Sequence, residues 1–249
     1  MSALPLPWQE SVWSSLNSAI DADRLPHALL ISGDSGIGKS RLANALAQRL
    51  TCSAEMVKYA CGTCKSCLLL AAGNHPDVSF LEPEDSGKPI KIDQVRALCQ
   101  SLSKTAQQGG WKVAVISPAE AMNINAANAL LKNLEEPQAK TLLILVSHRP
   151  SRLSATIRSR CQKLSLPTPD SISALSWLTE VTGDRGAAEQ VLPLAGGRPL
   201  LALDYCHSDN LQQRNDFERL VSEVREGLVS PLAAAQQCQK LDGDQTIDW

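Results

Sequence analysis

Five short apolar runs, at 28–31, 78–81, 112–116, 142–146 and 162–166, punctuate the first two thirds of the chain. Each is rich in β-forming residues and nearly continuous rather than alternating, which predicts strands buried on both faces. Between them the apolar period changes to three and four. Leu42, Leu46 and Leu50 form one such stripe, Val95, Leu98 and Leu102 a second, and Ile124, Ala127, Leu130, Leu131 and Leu134 a third. Each stripe predicts a helix with one buried face, and Glu135-Glu136-Pro137 ends the third because proline lacks an amide donor and clashes with the preceding turn. Strands alternating with helices predict an α/β fold, a parallel sheet covered by helices.

After Leu166 the pattern changes. Pro167-Thr168-Pro169-Asp170 stiffens the chain, removes two amide donors and offers a helix N-cap, which predicts a domain boundary at 168/169. Beyond it Leu175, Leu178 and Val181, then Val191, Leu194 and Ala195, then Leu220, Val221, Val224 and Leu228 repeat at helical spacing with no strand candidate between them. The expectation is a small all-helical domain over 169–240 and a polar tail over 241–249.

Composition narrows the class without naming a function. At 249 residues, with 43% hydrophobic and 20% charged residues, the chain has ordinary globular proportions. Its 24 basic and 26 acidic residues leave a formal charge of −2, so any nucleic-acid contact must come from local groups rather than a global positive field. Arg41, Arg96, Lys104 and Lys112 read as a solvated surface. The first residues lack a basic segment followed by an apolar core, and no apolar run is long enough to span a membrane; a cytoplasmic protein without membrane contact is expected. In that compartment the eight cysteines stay reduced, which points four clustered ones toward metal rather than disulfides.

The first candidate site is Gly33-Asp34-Ser35-Gly36-Ile37-Gly38-Lys39-Ser40, between a predicted strand and a predicted helix. Glycines let backbone amides turn in around phosphate oxygens, the helix start adds a favourable dipole, Lys39 pairs with the outer phosphates and Ser40 is placed to ligate magnesium. Strand, loop and helix coincide here, which favours a nucleotide site over a plain glycine-rich turn. Hydrolysis also needs acidic residues at the tip of a second strand. The tip of 112–116 reads Ser117-Pro118-Ala119-Glu120, with no aspartate, and Glu120 reads as an exposed residue of the following helix. ATP and magnesium binding without hydrolysis is therefore expected.

The second candidate is Cys52, Cys61, Cys64 and Cys67, just after the loop's helix; tight Gly62-Thr63 and Lys65-Ser66 spacers bring the thiols together. Four thiolates suit tetrahedral zinc in a structural knuckle over about 51–73. An iron–sulfur cluster is the rival, and His75 is an alternative to Cys52 as fourth ligand. Cys99, Cys161, Cys206 and Cys238 are scattered and read as small buried residues. Finally, Ser159-Arg160-Cys161 follows a short helical stretch and leads into the last strand, a corner that sets Arg160 at the edge of the sheet domain.

The phosphate loop, the cysteine insertion, Asn128-Ala129-Leu130-Leu131-Lys132-Asn133-Leu134-Glu135-Glu136-Pro137 and Ser159-Arg160-Cys161 together resemble the bacterial clamp-loader AAA+ family over about residues 8–240. Arg24-Leu25-Pro26-His27-Ala28 resembles that family's adenine-side entry segment. The resemblance implies a RecA-like AAA+ domain over 1–168 followed by a helical lid. It implies that Arg160 is an arginine finger serving an adjacent gamma/tau ATP site. It also implies a stator role between the gamma/tau and delta subunits during loading of the sliding clamp onto primed DNA in chromosome replication. Ser147 matches the family's nucleotide-sensing strand tip, whereas Pro199 takes the place of a second sensing arginine and Arg198 lies one residue off. The family's third helical domain, a collar, has no room before residue 249, which suggests a truncated or naturally short chain. Two alternatives stay open: an active gamma/tau-type ATPase, and a zinc-bearing interaction module that binds no nucleotide.

Overall fold

The computed structural model describes residues 4–54, 57–85, 87–108, 110–207 and 210–238; the tail expected at 241–249 lies outside the described residues. The chain divides into two compact units, Met1–Thr168 and Pro169–Trp249.

In the first unit β1 (Ala28–Ser32), β2 (Val78–Leu81), β3 (Lys112–Ile116), β4 (Thr141–Ser147) and β5 (Gln162–Ser165) form one parallel sheet in the order β2-β3-β4-β1-β5. The near-continuous apolar runs are explained by burial on both faces: β1, β3 and β4 are covered on each side. One face packs α1 (Glu10–Asp21) and α2 (Lys39–Thr51) through Trp13, Leu42, Leu46 and Leu50. The other packs α4 (Ile92–Leu102), α5 (Ile124–Glu135) and α6 (Ala155–Arg160) through Val95, Leu98, Leu130, Leu134 and Ile157. A short helix, α3 (Lys65–Ala71), follows α2.

One stripe of this unit differs from its predicted form. In α5 the fully buried residues are Ala126, Leu130 and Leu134, an i, i+4, i+8 row, while Ile124 at the first turn is 80% exposed and Ala127 and Leu131 are half-buried. Ile124 directly follows the cap: the side chain of Asn123 accepts the Ala126 amide, and the first turn is rotated off the sheet.

The second unit carries α7 (Ser171–Thr182), α8 (Arg185–Leu194), α9 (Pro199–His207), α10 (Asn210–Arg225) and α11 (Pro231–Cys238). Asp170 caps α7 by accepting the Ser173 amide at 2.9 Å, as the Pro-Asp entry suggests. The core of this unit is Leu178, Val191, Ala195, Ala202 and Tyr205 with their neighbours. Val181, Leu194, Val221 and Leu228, core positions by their spacing, are exposed: Val181 and Leu194 lie off the core-facing side of α7 and α8, and Val221 and Leu228 belong to α10 and the segment after it, whose described residues are not part of this core.

Candidate functional site

The phosphate loop sits at the C-terminal end of β1, which runs between β4 and β5. Gly33, Gly36 and Gly38 take positive φ values of 146°, 77° and 89°, and Gly38 caps α2 in the left-handed region. Side chains are excluded at two of these positions. A Cβ on Gly33 would lie 2.3 Å from the Leu166 carbonyl oxygen, and one on Gly38 would lie 2.3 Å from Leu6 Cδ1. The turn therefore needs glycine for conformation and for space. Lys39 is buried and donates from Nζ to the backbone carbonyl of Asp34, so its ammonium folds over its own loop. Ile37 is fully buried beneath the loop.

The loop is held from outside by a segment that the motif does not contain. Trp8 Nε1 donates to the Ile37 carbonyl at 3.0 Å. Gln9, itself fully buried, donates from Nε2 to the carbonyls of Ile37 at 3.1 Å and Gly38 at 2.9 Å, and accepts the Leu6 amide through Oε1 at 2.9 Å. With its carbonyls engaged on this side, the loop is pinned before any ligand arrives.

Across the loop, the tip of β3 brings Ser117 to Ser40, their hydroxyl oxygens 3.2 Å apart. Glu120 is not the exposed residue that its position suggested. It is partly buried in a short 3-10 turn, where Oε1 accepts the amides of His148 at 2.8 Å and Arg149 at 2.9 Å and so ties the β3 exit to the β4 exit. Ser147, at the β4 tip and paired in register with Ser32, is fully buried, and its hydroxyl has no partner among the described residues. His27 bonds through Nε2 with the Leu134 carbonyl at 3.1 Å, fixing the entry segment to the end of α5. In the second unit, Arg198 donates to the Ala195 carbonyl at 2.8 Å.

The four cysteines converge: the sulfurs of Cys52, Cys61, Cys64 and Cys67 all lie within 4.8 Å of one another. Amides point at them, Cys61 N to Cys52 Sγ at 3.3 Å, Cys64 N to Cys61 Sγ at 3.3 Å and Cys67 N to Cys64 Sγ at 3.5 Å. Burial opposes the Cys64 thiolate, yet hydrogen bonds from Ser53 and the Cys67 amide outweigh it and lower this thiol to about 5. Burial pushes the neighbouring Cys67 thiol up to about 12, helped by its hydrogen bond to Cys64. A cluster in which sulfurs share protons and collect amide donors fits a thiophilic dication such as zinc.

His75 is no substitute ligand, since both ring nitrogens are engaged elsewhere. Nδ1 accepts the Asp77 amide at 3.1 Å, which leaves the proton on Nε2 for Ser66 Oγ at 2.6 Å. Burial pushes the imidazole below its ordinary value, with Asp77 pulling the other way. Asp77 in turn accepts the Gln107 and Gln108 amides at 2.8 Å each and faces the buried Lys112 at 3.6 Å. Burial opposes its charge, but those amides and Lys112 hold the carboxyl below its usual range. Lys112 thus belongs to an internal network, not to a basic surface. On its other side the knuckle is docked to α1: Tyr59 stacks on Trp13 with centroids 5.8 Å apart, and Trp13 Nε1 donates to the Lys58 carbonyl at 3.2 Å.

Arg160 ends α6. Its guanidinium is 2.7 Å from Glu135 at the end of α5, donates to the Thr156 carbonyl at 3.0 Å, and keeps about a third of the side chain exposed.

A family model described as DNA polymerase III, delta subunit matches residues 8–170. The DNA polymerase III subunit delta-prime of Pseudomonas aeruginosa is 46% identical over 231 residues, covering 92% of this chain and 69% of that protein. The chain belongs to the DNA polymerase III delta-prime family. The delta-prime protein of Haemophilus influenzae is 40% identical and covers all of this chain and 75% of its own length. Among solved structures, a gamma subunit-related protein of Thermotoga maritima superposes with a TM-score of 0.54 at 20% identity, covering 96% of this chain and 75% of that one, a likeness of fold alone.

For this delta-prime family member, Trp8, Gln9 and the His75–Asp77 pair are the supporting residues that motif reasoning missed. The spacing of His75 from the cysteines points only to a ligand role. A buried glutamine three residues after a buried leucine, with its amide and carbonyl groups turned toward the chain, leaves no periodic trace in so short a turn.

Proposed function

We propose that this chain serves as a noncatalytic stator of the DNA polymerase III clamp loader, bridging the gamma/tau ATPases and the delta subunit while the sliding clamp is loaded onto primed DNA. The phosphate loop from Gly33 to Ser40 holds a nucleotide without hydrolysing it. Cys52, Cys61, Cys64 and Cys67 hold one structural zinc. Arg160 is lent to the ATP site of a neighbouring subunit, where a guanidinium offsets charge gathering on the transferred phosphoryl group.

The β3 tip carries this reading. Hydrolysis at a loop of this type relies on a strand-tip carboxylate to fix magnesium and on a second to orient water. Here Ser40 meets a serine, and Glu120 is engaged with the His148 and Arg149 amides. Family membership supports the assembly role, and the exposed third of Arg160 supports a finger that can exchange Glu135 for a partner's phosphate.

Reconstitution tests the finger. In a loader assembled with the other subunits, Arg160→Ala is expected to lower turnover at the facing ATP site by a factor on the order of 10³, while this chain still folds and co-purifies with the complex. Unchanged DNA-stimulated ATPase would remove Arg160 from that role, and failure of the wild-type chain to be retained by the other subunits would remove the stator.

A further inference from the structure

The nucleotide site of this chain has a charge balance unlike that of a hydrolysing loop. Within Gly33–Ser40 the one cationic side chain is Lys39, buried against the loop. The loop and the β3 tip carry two acidic side chains, Asp34 and Glu120; one oxygen of each is engaged by protein groups, and Glu120 Oε2 is buried without a hydrogen-bond partner among the described residues. Asp34 Oδ2 accepts the Thr168 hydroxyl at 3.0 Å, and Glu120 Oε1 accepts two backbone amides. The exit of β4, Ser147-His148-Arg149, adds no carboxylate. Ser40, whose hydroxyl is the protein's own ligand to magnesium in such a loop, faces another hydroxyl, that of Ser117, at 3.2 Å, where a hydrolysing loop faces a carboxylate.

Magnesium in a phosphate-loop site is held jointly by the loop hydroxyl, the strand-tip carboxylate and the phosphate oxygens. Where the carboxylate is replaced by a hydroxyl, the protein returns almost nothing to the cation. A magnesium ion on the phosphates then only neutralises the charge that Lys39, the inward amides and the start of α2 attract. From the Ser40–Ser117 hydroxyl pair, which stands where a carboxylate would face the loop, and from the Glu120 carboxylate being tied through Oε1 to the β4 exit, we infer that this loop selects the magnesium-free nucleoside phosphate and binds it as a free anion. The inference rests on the nucleotide reading proposed above and adds to it the ionic form of the ligand.

Calorimetric titration of the full chain with ATP, once in excess magnesium and once in EDTA, tests it. Affinity in EDTA is expected to equal or exceed that in magnesium, whereas a loss of about tenfold or more on magnesium removal overturns the inference, since that is the behaviour of a carboxylate-held cation. If that loss is abolished by Glu120→Gln, Glu120 is the ligand and the inference fails for that reason. Ser117→Asp supplies the gain-of-function arm. It should weaken ATP binding in EDTA, where a carboxylate repels the phosphates, and restore it when magnesium is added. A Ser117→Asp chain that is folded by thermal melt yet binds ATP equally in both buffers overturns the inference as well. Absence of binding in either buffer defeats instead the nucleotide reading on which it rests, so the two failures are told apart.

Discussion

The phosphate loop and the cysteine knuckle stand one helix apart and solve opposite problems. At the loop the fold makes the site. Gly33, Gly36 and Gly38 are held in positive φ, Trp8 and Gln9 grip the carbonyls of Ile37 and Gly38, and the cradle is complete without a ligand. At the knuckle the proposed zinc would make the fold. Its four sulfurs crowd within 4.8 Å, and its apolar support is small, Leu70 in the core of the sheet domain and Tyr59 on Trp13. Losing zinc should therefore cost structure and leave the nucleotide site standing, while damage to the loop's supports should cost nucleotide and leave zinc bound.

The sharpest way to break this contrast is Cys67→Ser. Zinc content by elemental analysis should fall from about one per chain toward none, with a stability loss on the order of 4 kcal/mol and rapid proteolysis within the knuckle. ATP affinity of the fraction that stays folded should be unchanged. Full zinc retention, or iron in place of zinc, would contradict the assignment. Gly38→Ala is the converse experiment. Its φ of 89° and the 2.3 Å approach of Leu6 Cδ1 predict a cost of about 2–4 kcal/mol and loss of nucleotide binding, with zinc content intact. An alanine variant that binds ATP normally would show that the left-handed Gly38 and its Leu6 contact do not set the loop.

A smaller effect should come from the bolt between knuckle and sheet. The buried His75 has its pKa lowered in the fold, so the unfolded chain binds the proton more readily as pH falls below the ordinary imidazole value of 6.5. The contribution of His75 is present above that value and is lost progressively on acidification. The melting temperature of the wild-type chain should thus drop between neutral pH and pH of about 5.5 by a few degrees more than that of His75→Gln. Parallel pH profiles for the two proteins would deny the bolt its protonation-linked role.

Legibility in the sequence followed the physics of each feature. The strands could be read because burial on both faces of the central strands forces unbroken apolar runs, and the predicted runs fall on β1 to β5 with ends shifted by at most one residue. The phosphate loop and the four cysteines could be read because each packs its chemistry into one contiguous segment. What stayed hidden depends on distant partners. Trp8 and Gln9 act on Ile37 and Gly38 across 28 and 29 residues, and Glu120 acts on His148 and Arg149 across 28 and 29. A polar side chain that pairs with far backbone looks, in sequence, like any surface residue, which is why Glu120 read as exposed. α1 was invisible for another reason. Its buried positions, Trp13, Leu16 and Asn17, include a polar residue whose side chain donates to the Trp13 carbonyl, so the apolar stripe is too thin to count.

The central claim is that this loop holds nucleotide while the chemistry happens on a neighbour. Incubating the purified full chain with ATP and magnesium, and following ATP binding and phosphate release together, tests that claim most directly. The account predicts measurable binding, abolished by Lys39→Ala, with no steady release of phosphate above the uncatalysed rate. Steady magnesium-dependent hydrolysis that disappears in Lys39→Ala would contradict it and make this chain an ATPase in its own right.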